Sequence, residues 1–255
     1  MGAIGETYGF SIFLIDTISD VALVGGGGNP QPGEISLSHN GVLFLDELPE
    51  FPRAALEALR EPLETGSITI ARAARRAEFP ARFQLIAAMN PCPCGYYNHP
   101  KKECHCSPSL IQKYMHKISG PLLDRIDMHI EVVPILYNEL RASKQEESSA
   151  TIATRVKNAR EIQSHRFKNE AGTYTNAQMN SGQLKKYCTI SPEGEAILKM
   201  AMEKFQLSAR AFDRIIKVSR SIADLDNSNA IQLNHISEAL QFRSLDKSSW
   251  GQYKN

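Results

Sequence analysis

The feature that most constrains the fold is a short apolar run that ends in two adjacent carboxylates, Val42-Leu-Phe-Leu-Asp46-Glu47. Four apolar residues without polar alternation predict a strand that is buried on both faces of a parallel sheet. Such a strand places Asp46 and Glu47 at the carboxyl edge of the sheet, where open α/β folds bind ligands. In a nucleotide hydrolase the first acid holds Mg²⁺, and the second orients and polarises the attacking water. The alternative is two solvated acids at a strand end, since a run of this kind also occurs by chance.

A second buried strand is predicted at 84–89, and Asn90 directly follows it. An amide there lies at the same sheet edge as the two carboxylates and can hydrogen-bond a water or a γ-phosphate. Pro52 opens a predicted helix, 67–82 predicts a basic hairpin, and 129–133 predicts a third strand. Strands separated by helices predict a parallel, doubly wound sheet.

The segments on either side of this core have different compositions. Residues 20–28 run from a short apolar segment into four glycines, which predicts a strand that ends in a hairpin or loop. The polar residues 143–149 predict a linker or a solvated helix end. Beyond them Ser191, Ser208 and Asn234 each precede apolar residues at helical spacing. The chain therefore divides into an α/β part that ends near residue 140 and a small helical part.

Composition excludes several classes of protein. The formal net charge is +1, so any nucleic-acid binding must come from a local patch. No apolar stretch approaches the roughly 20 residues of a membrane span, and the first residues lack the basic region of a signal peptide. Five cysteines leave one outside any full disulfide scheme, which favours a reducing compartment. We therefore expect a cytoplasmic globular protein without membrane contact.

Four of the cysteines fall in one run, as Cys92-x-Cys94 and Cys104-x-Cys106. Four thiolates suffice for a closed tetrahedral Zn²⁺ site, although Cys-x-x-Cys spacing would be a stronger signal. His99 and His105 could replace a cysteine as ligands, and free thiols or a disulfide are the alternatives to a metal. Zinc here would staple the loop that follows Asn90 and hold that residue in place.

Arg125 stands between Asp124 and Asp127, just before the third predicted strand. An arginine on a loop can reach across a subunit boundary and stabilise the charge of phosphoryl transfer. The alternative is a local surface cluster of charges that contributes little.

Four blocks of the sequence, taken together, resemble one known family, the magnesium-chelatase-like AAA+ ATPases of the YifB/ComM type. They are residues 17–27, 32–51, 88–96 and 207–225, and the similarity extends from about Thr17 to Arg243. The resemblance implies a partial AAA+ parallel-sheet core at 1–140, with a helix-2 insert at 17–33 and a hairpin before sensor 1 at 67–82. A linker and connecting helix at 141–185, an all-α lid domain at 186–248 and a tail at 249–255 would follow.

The resemblance also implies a role for each site residue. Asp46 and Glu47 match the Walker B pair, and Asn90 matches sensor 1. Arg125 matches the arginine finger, and Arg210 matches sensor 2 of the lid. ATP and Mg²⁺ are the implied cofactors, with Asp46 on the metal.

In ring-shaped relatives the inserted hairpins face a central pore and contact DNA. The second hairpin carries four arginines against one acid, which suits that contact, although a solvated face is the alternative. These arginines are Arg72, Arg75, Arg76 and Arg82. The resemblance therefore implies a hexameric ring motor acting on DNA, with a ComM-type branch-migration and competence role. The alternatives are a chelatase motor subunit that remodels a protein partner and a non-catalytic, zinc-stabilised interaction module.

The sequence departs from the family pattern in one respect, because it contains no Gly-x-x-x-x-Gly-Lys-Ser/Thr motif. The glycines at 25–28 have no lysine after them and do not open a helix, so they cannot cradle phosphates in the P-loop manner. The family carries its P-loop upstream of the region matched here. We therefore expect a truncated chain that by itself binds ATP weakly or not at all and does not hydrolyse it.

Overall fold

The computed structural model describes residues 11–14, 19–27, 29–72, 75–132 and 147–243, without the side chains of 11–14, Asp20, Arg72 and Arg75. The chain divides into two compact units, the first ending at Ile126 and the second beginning at Asp127. Each unit has its own cluster of buried apolar side chains. The predicted class is confirmed, since a parallel sheet with helices is followed by a helical unit. No helix among the described residues is long and apolar enough to cross a membrane.

The first unit contains seven short strands and six short helices within its described residues. In chain order they are β1 (Ser11–Leu14), α1 (Asp20–Val24), β2 (Gly25–Gly26), β3 (Gln31–Pro32), α2 (Glu34–Leu37), β4 (Val42–Leu45), α3 (Arg53–Ala58), α4 (Arg60–Thr65), β5 (Ser67–Arg72), β6 (Arg75–Pro80), β7 (Gln84–Ala87), α5 (Pro108–Met115) and α6 (Gly120–Leu123). A 3₁₀ turn, Leu48–Glu50, follows β4.

A parallel three-stranded sheet in the order β1-β4-β7 forms the centre of this unit. Leu43 and Leu45 of β4 are fully buried, whereas Val42 and Phe44 on the opposite face are half-buried. The predicted strand at 42–45 is therefore confirmed. The strand predicted at 84–89 is present and ends at Ala87, but the prediction that it is buried is wrong, because β7 is the edge strand of the described sheet and three of its four residues are exposed. The carboxyl ends of β4 and β7 lie at the same edge of the sheet.

The segment 20–24 is a helix and not the predicted strand. Ser19 caps it, because its side chain accepts a hydrogen bond from the Ala22 N–H at 3.2 Å, and Leu23 is fully buried. An apolar run of this length is compatible with a strand and with one and a half turns of helix, and the capping serine favours the helix. The predicted hairpin follows it, with β2 antiparallel to β3.

The third predicted strand, 129–133, is wrong for its described residues 129–132, which lie in neither strand nor helix. The backbone N–H of His129 donates to the carbonyl of Phe242 at 2.6 Å, so the helical unit and not a sheet satisfies it. Ile130 and Val132 are 68% and 86% exposed. Apolar composition alone therefore misassigned this segment.

The helix predicted from Pro52 is present as α3 and α4, with a break at Leu59. Gly66 ends it in the left-handed region at φ 75°, a conformation that suits glycine. The basic hairpin is confirmed as β5 paired antiparallel with β6, and its residues Ile68 and Ile70 are buried in the unit.

Five helices and one 3₁₀ turn make up the described part of the second unit. They are α7 (Ser149–Arg166), the turn Asn176–Gln178, α8 (Ser181–Tyr187), α9 (Pro192–Phe205), α10 (Ala209–Leu225) and α11 (Leu233–Gln241). Ser191 and Ser208 cap α9 and α10 as predicted, with Oγ accepting from the N–H three residues later at 3.2 and 3.1 Å. The last helix is capped by Gln232, two residues before the predicted start.

A buried ion network joins three elements of the second unit. Asp224 of α10 is fully enclosed, and its Oδ2 accepts from Arg166 Nη1 at 2.6 Å and from Asn176 Nδ2 at 2.7 Å. Its Oδ1 accepts from Arg220 Nε at 3.1 Å, and the Arg220 side chain is 1% exposed. The network therefore ties α7, α10 and the 3₁₀ turn together.

Candidate functional site

The carboxyl ends of β4 and β7 are held side by side by backbone hydrogen bonds. The Ala88 N–H donates to the Leu45 carbonyl at 2.8 Å, and the Leu48 N–H donates to the Ala88 carbonyl at 3.0 Å. Asp46 and Glu47 directly follow β4, and Asn90 follows β7 by three residues. The structure therefore brings these three predicted site residues to one edge of the sheet, and all three are exposed.

A tight turn fixes the two carboxylates. Asp46 Oδ1 accepts from the Glu47 N–H at 2.8 Å, and the Glu47 carbonyl accepts from the Glu50 N–H at 2.7 Å. Glu47 itself adopts the left-handed conformation, φ 50° and ψ 44°, which costs a residue with a Cβ about 1 kcal/mol or more. The surrounding hydrogen bonds hold this conformation, and the exposed oxygens are of the type that a hard divalent cation takes as ligands.

Tyr114 of α5 lies beneath this edge, and sequence reasoning missed it. It is 6% exposed, and its burial together with the charges of Glu50 and Glu47 raises the pKa of Tyr114 to about 12. The nearby backbone of Asn90 acts in the opposite direction and lowers this pKa. The Asn90 side-chain oxygen approaches Gly95, where a Cβ would lie 3.9 Å from it. The apolar spacing of α5 is the signal that could have placed Tyr114 in the core.

The four predicted cysteine ligands form one cluster in the loop between Asn90 and α5. The Sγ atoms of Cys92 and Cys94 are 3.4 Å apart, those of Cys94 and Cys104 are 3.5 Å apart, and those of Cys92 and Cys104 are 3.7 Å apart. All four, including Cys106, lie within 4.8 Å of one another, and none forms a disulfide. A tetrahedral Zn²⁺ with Zn–S bonds of about 2.3 Å needs sulfur atoms about 3.8 Å apart. The cluster therefore has nearly the dimensions of such a site.

Neither histidine of the loop joins the cluster. The Nδ1 of His99 accepts from the backbone N–H groups of Lys101 and Lys102 at 3.1 and 3.0 Å. His105 is exposed, and the one group of metal-compatible side chains among the described residues consists of the four cysteines. The histidines therefore shape or border the loop, while four sulfur atoms supply the ligands.

The loop backbone stabilises negative charge on the cluster unequally. The backbone N–H of Tyr96 is the main cause that lowers the pKa of Cys94 to about 6. Although the backbone of Cys106 acts in the opposite direction, burial and the neighbouring thiols raise the pKa of Cys104 to about 12. Burial likewise raises the pKa of Cys106. A bound metal ion would deprotonate all of these thiols, since its charge exceeds every other local charge.

Arg125 is buried within its own unit. Its Nη1 donates to the Pro121 carbonyl at 2.6 Å, and its Nη2 forms an ion pair with Glu64. The side chain is 7% exposed, so it is not part of a solvated cluster of charges, and Asp127 pairs with Arg214 at 2.6 Å. A role for Arg125 across a subunit boundary stays a prediction.

Arg210 belongs to the second unit, where it is exposed in the first turn of α10. The cap at Ser208 fixes the start of that helix and thereby the backbone position of Arg210. Its predicted role toward a nucleotide stays a prediction.

The four arginines predicted to contact nucleic acid divide into two groups. Arg72 and Arg75 pair with each other at the tip of the β5–β6 hairpin, and their side chains lie outside what the structure describes. Arg76 pairs with Ala71, one step back, and its side chain is exposed on the face opposite to Ile70. These three positions are therefore grouped at the tip.

Arg82 lies at the other end of the hairpin. Its backbone N–H donates to His39 Nδ1 at 3.1 Å, and its side chain passes over Gly66, where a Cβ would lie 2.7 Å from Arg82 Cγ. Arg82 therefore packs at the base of the hairpin, apart from the tip.

The two predicted inserts pack against each other. Gly25 of β2 has φ 101°, and a Cβ there would lie 2.3 Å from the Gln31 carbonyl and 2.6 Å from Ile70 Cδ1. No side chain fits in this space, so glycine is required for the glycine-rich hairpin to contact the arginine hairpin.

Comparison with known proteins identifies both units. Residues 14–140 match the family model described as magnesium chelatase, subunit ChlI, and residues 146–243 match the model of its C-terminal part. The chain is 48% identical over 225 residues to the competence protein ComM of Haemophilus influenzae, covering 88% of this chain and 43% of that protein. It is 44% identical over 229 residues to the uncharacterized protein YifB of Escherichia coli, covering 89% and 44%.

A more distant similarity reaches a eukaryotic protein. The chain is 29% identical over 233 residues to the DNA replication licensing factor Mcm6 of Drosophila melanogaster, covering 86% of this chain and 26% of that protein. The chain thus spans less than half the length of these relatives.

Proposed function

The chain belongs to the magnesium chelatase ChlI family, and from that premise we propose that it forms part of a ring-forming AAA+ ATPase motor that acts on DNA. The observation that carries the proposal is the sheet edge where Asp46, Glu47 and Asn90 meet. One relative is named a competence protein and another a DNA replication licensing factor, and the second name ties that protein to DNA. A branch-migration role in competence is the specific form of this proposal.

The residues at the edge have distinct proposed roles in ATP hydrolysis. Asp46 would hold Mg²⁺, which supplies charge neutralisation to the phosphates when it is bound. Glu47 would orient and polarise the attacking water, and Asn90 would hydrogen-bond that water or the γ-phosphate. Arg125 and Arg210 would stabilise phosphate charge as arginine finger and sensor 2 in an assembled hexamer.

The chain by itself is proposed to bind ATP weakly and not to hydrolyse it, because its sequence holds no Gly-x-x-x-x-Gly-Lys-Ser/Thr motif. Isothermal titration of the purified chain with ATP and Mg²⁺ tests this statement. Micromolar affinity would overturn it.

A chimaera tests the catalytic roles directly. This chain would replace the matching 225 residues of the 48% identical competence protein ComM. Glu47→Gln should lower ATP hydrolysis by about 100-fold or more while ATP binding is retained, because a general base contributes 10²–10⁴ in rate. Glu61→Gln, an exposed carboxylate on α4, is the matched control and should leave the rate unchanged. Equal hydrolysis by the Glu47 and Glu61 variants would refute the assignment.

The same chimaera separates the DNA motor from its main alternative. Stimulation of ATP hydrolysis by DNA is expected of the motor proposed here. A chelatase-type subunit that remodels a protein partner would hydrolyse ATP at a rate independent of DNA.

We further propose that Cys92, Cys94, Cys104 and Cys106 hold a structural Zn²⁺. Four free thiols at the separations of a tetrahedral site, in a loop without regular structure, support this proposal. This site would also serve a non-catalytic, zinc-stabilised interaction module, which is the second alternative.

Metal analysis of the purified chain tests the zinc proposal. One zinc per chain is expected, with loss of the metal in Cys104→Ser and retention in Cys188→Ser. Cys188 is buried in the second unit and is a matched control. Metal-free protein after expression with added zinc, or a disulfide within the loop, would refute the proposal.

A further inference from the structure

An open groove of about 710 Å³ lies in the first unit beside the sheet edge. One wall is the turn from Glu50 to Arg53, and the other is the exposed face of α5 with Lys117 beyond it. None of its lining residues belongs to the proposed catalytic set, to the cysteine cluster or to the arginine hairpin. The groove is therefore a separate surface whose occupant must be argued from its own chemistry.

The sequence of α5 determines which side chains enter the groove. Ile111, Tyr114 and Met115 are buried in the unit, so the opposite face of the helix is exposed. Ser109, Gln112, Lys113 and His116 occupy that opposite face and line the groove. At 1.5 Å per residue, Ser109 and His116 are about 10 Å apart along the helix, which is longer than a single phosphate group.

The charges of the groove favour an anion. Lys117 Nζ lies 3.3 Å from Glu50 Oε2, so the one acid among the lining residues is already paired. Lys113 and His116 form no ion pair within the part of the chain that the structure describes, and both are exposed. Arg53 lies on the opposite wall. Hydrogen bonds from Ser119 and Arg60 lower the pKa of Glu57, and the charge of Arg53 adds a smaller effect in the same direction. Cations on two walls thus face one open channel.

We propose that this groove binds the sugar-phosphate backbone of a nucleic-acid strand. Side chains that can donate hydrogen bonds line both walls, and their spread along α5 suits more than one phosphate of a strand better than one compact anion. Backbone contact of this kind positions a strand without reading its sequence. The proposal rests on the proposed function in DNA and adds a contact surface distinct from the arginine hairpin.

Fluorescence anisotropy of the chain with a fluorescein-labelled 20-nucleotide single strand, measured over a series of salt concentrations, tests the groove. Lys113→Gln and Arg53→Gln each remove one cation, on opposite walls. Each should weaken binding by roughly 5- to 10-fold at low salt and reduce the slope of log affinity against log salt by about 0.7. Lys199→Gln, an exposed lysine on α9 of the second unit, is the matched control and should change neither quantity.

The outcomes separate the groove from the hairpin. Arg76→Gln alters the hairpin alone, so weakening by Arg76→Gln without weakening by the two groove variants would refute the groove and leave the hairpin contact intact. The reverse result would support the groove and refute the hairpin contact. Absence of any nucleic-acid binding would overturn the groove proposal, while the ATPase assay of the chimaera would still decide the motor.

A competition experiment identifies the size of the ligand. Tripolyphosphate, at a phosphate concentration equal to that of the oligonucleotide, should displace little of the labelled strand because it spans fewer cations. Complete displacement would show a small-polyphosphate site and would overturn the proposal. Circular dichroism of each variant should match that of the parent chain, since the substituted side chains are exposed.

Discussion

Asp224 provides a sharp test of what holds the second unit together. Its carboxylate is 0% exposed and accepts four hydrogen bonds, two from Arg166 and one each from Asn176 and Arg220. Asp224→Asn keeps the shape but removes the negative charge, and it turns an amide NH₂ toward one of the two guanidinium groups. Arg220 is 1% exposed and cannot recover the lost interaction from water. Removal of one partner from a buried ion pair costs about 3–5 kcal/mol.

Urea unfolding followed by ellipticity at 222 nm measures this loss. For an m value of about 2 kcal/mol per M, the unfolding midpoint of the helical unit should fall by about 2 M. Asp226→Asn is the matched control, because the Asp226 side chain is 56% exposed and its carboxylate lies 3.1 Å from His235 Nε2. Although the His235 ring is buried, the carboxylate is more than half exposed, so the loss of its charge should cost about 0–1 kcal/mol.

A double variant tests the proposed cause. Arg220→Met in the Asp224→Asn background removes the charge that the first change leaves unpaired. The double variant should therefore be more stable than the sum of the two single losses predicts, by about 1–3 kcal/mol. A midpoint shift for Asp224→Asn no larger than that of Asp226→Asn, or strictly additive losses, would refute the reasoning.

Three further predictions concern the hairpins, acid stability and the metal. Gly25→Ala should lower the free energy of unfolding by about 2 kcal/mol or more, because its methyl would clash with the backbone of Gln31 and Gly33. The loss should exceed that of Gly172→Ala, where φ is 77° but nothing lies within 4 Å, and equal losses in urea would contradict this. Hydrogen bonds from Lys186, Tyr187 and Gln183 lower the pKa of Glu170 from 4.5 to about 2, so its contribution to stability is present above pH 4.5 and is lost as the pH falls toward 2. Glu170→Gln should therefore flatten the fall of Tm between pH 4.5 and pH 2, and an unchanged profile would contradict the assignment. Removal of zinc by a chelator should weaken oligonucleotide binding several-fold, because the cysteine loop directly precedes α5, which lines the groove. The urea midpoint of the second unit should not change, and a shift of that midpoint would show that the metal acts elsewhere.

The sheet edge was predictable because its signals are local and periodic. The apolar run before Asp46 predicts a buried parallel strand, and the apolar run before Asn90 predicts its neighbour. The carboxyl ends of the two strands were therefore expected at the same edge of the sheet. The hairpin at 67–82 was equally readable from its alternation and from Gly66. The helical unit followed from serine caps and apolar spacing.

The errors arose where tertiary contacts decide local structure. Residues 20–24 and 129–132 are both short and apolar, and neither length nor composition separates a strand from the alternatives. Leu23 is buried inside a capped helix, whereas the backbone of His129 bonds to Phe242, more than one hundred residues away. Propensity carries no information about such distant partners, which override it.

The candidate site was predictable in its residue types but not in its supports. Polar residues that follow apolar strands, and cysteines in closely spaced pairs, can be recognised from the sequence alone. Asp46, Glu47, Asn90 and the four clustered cysteines are of these kinds. Tyr114 is not, because a tyrosine within an apolar face gives the same pattern as an ordinary core residue. Its position near the backbone of Asn90 depends on the path of residues 88–107, which form neither helix nor strand and therefore leave no periodic signal in the sequence.

The proposed zinc site lies in the loop between Asn90 and α5, and the length of this loop gives the metal a structural purpose. Residues 88–107 form neither strand nor helix, and a segment of that length inside a compact unit is entropically costly unless something cross-links it. A bound Zn²⁺ would join Cys92 and Cys94 to Cys104 and Cys106 and close the loop near both of its ends, so it would fix Asn90 on one side and α5 on the other relative to each other. The helix so placed presents Tyr114 to the backbone of Asn90 on its buried face and Lys113 to the groove on its exposed face. The proposed metal would therefore couple the position of Asn90 to the wall of the groove, and its removal should disturb both through the same helix.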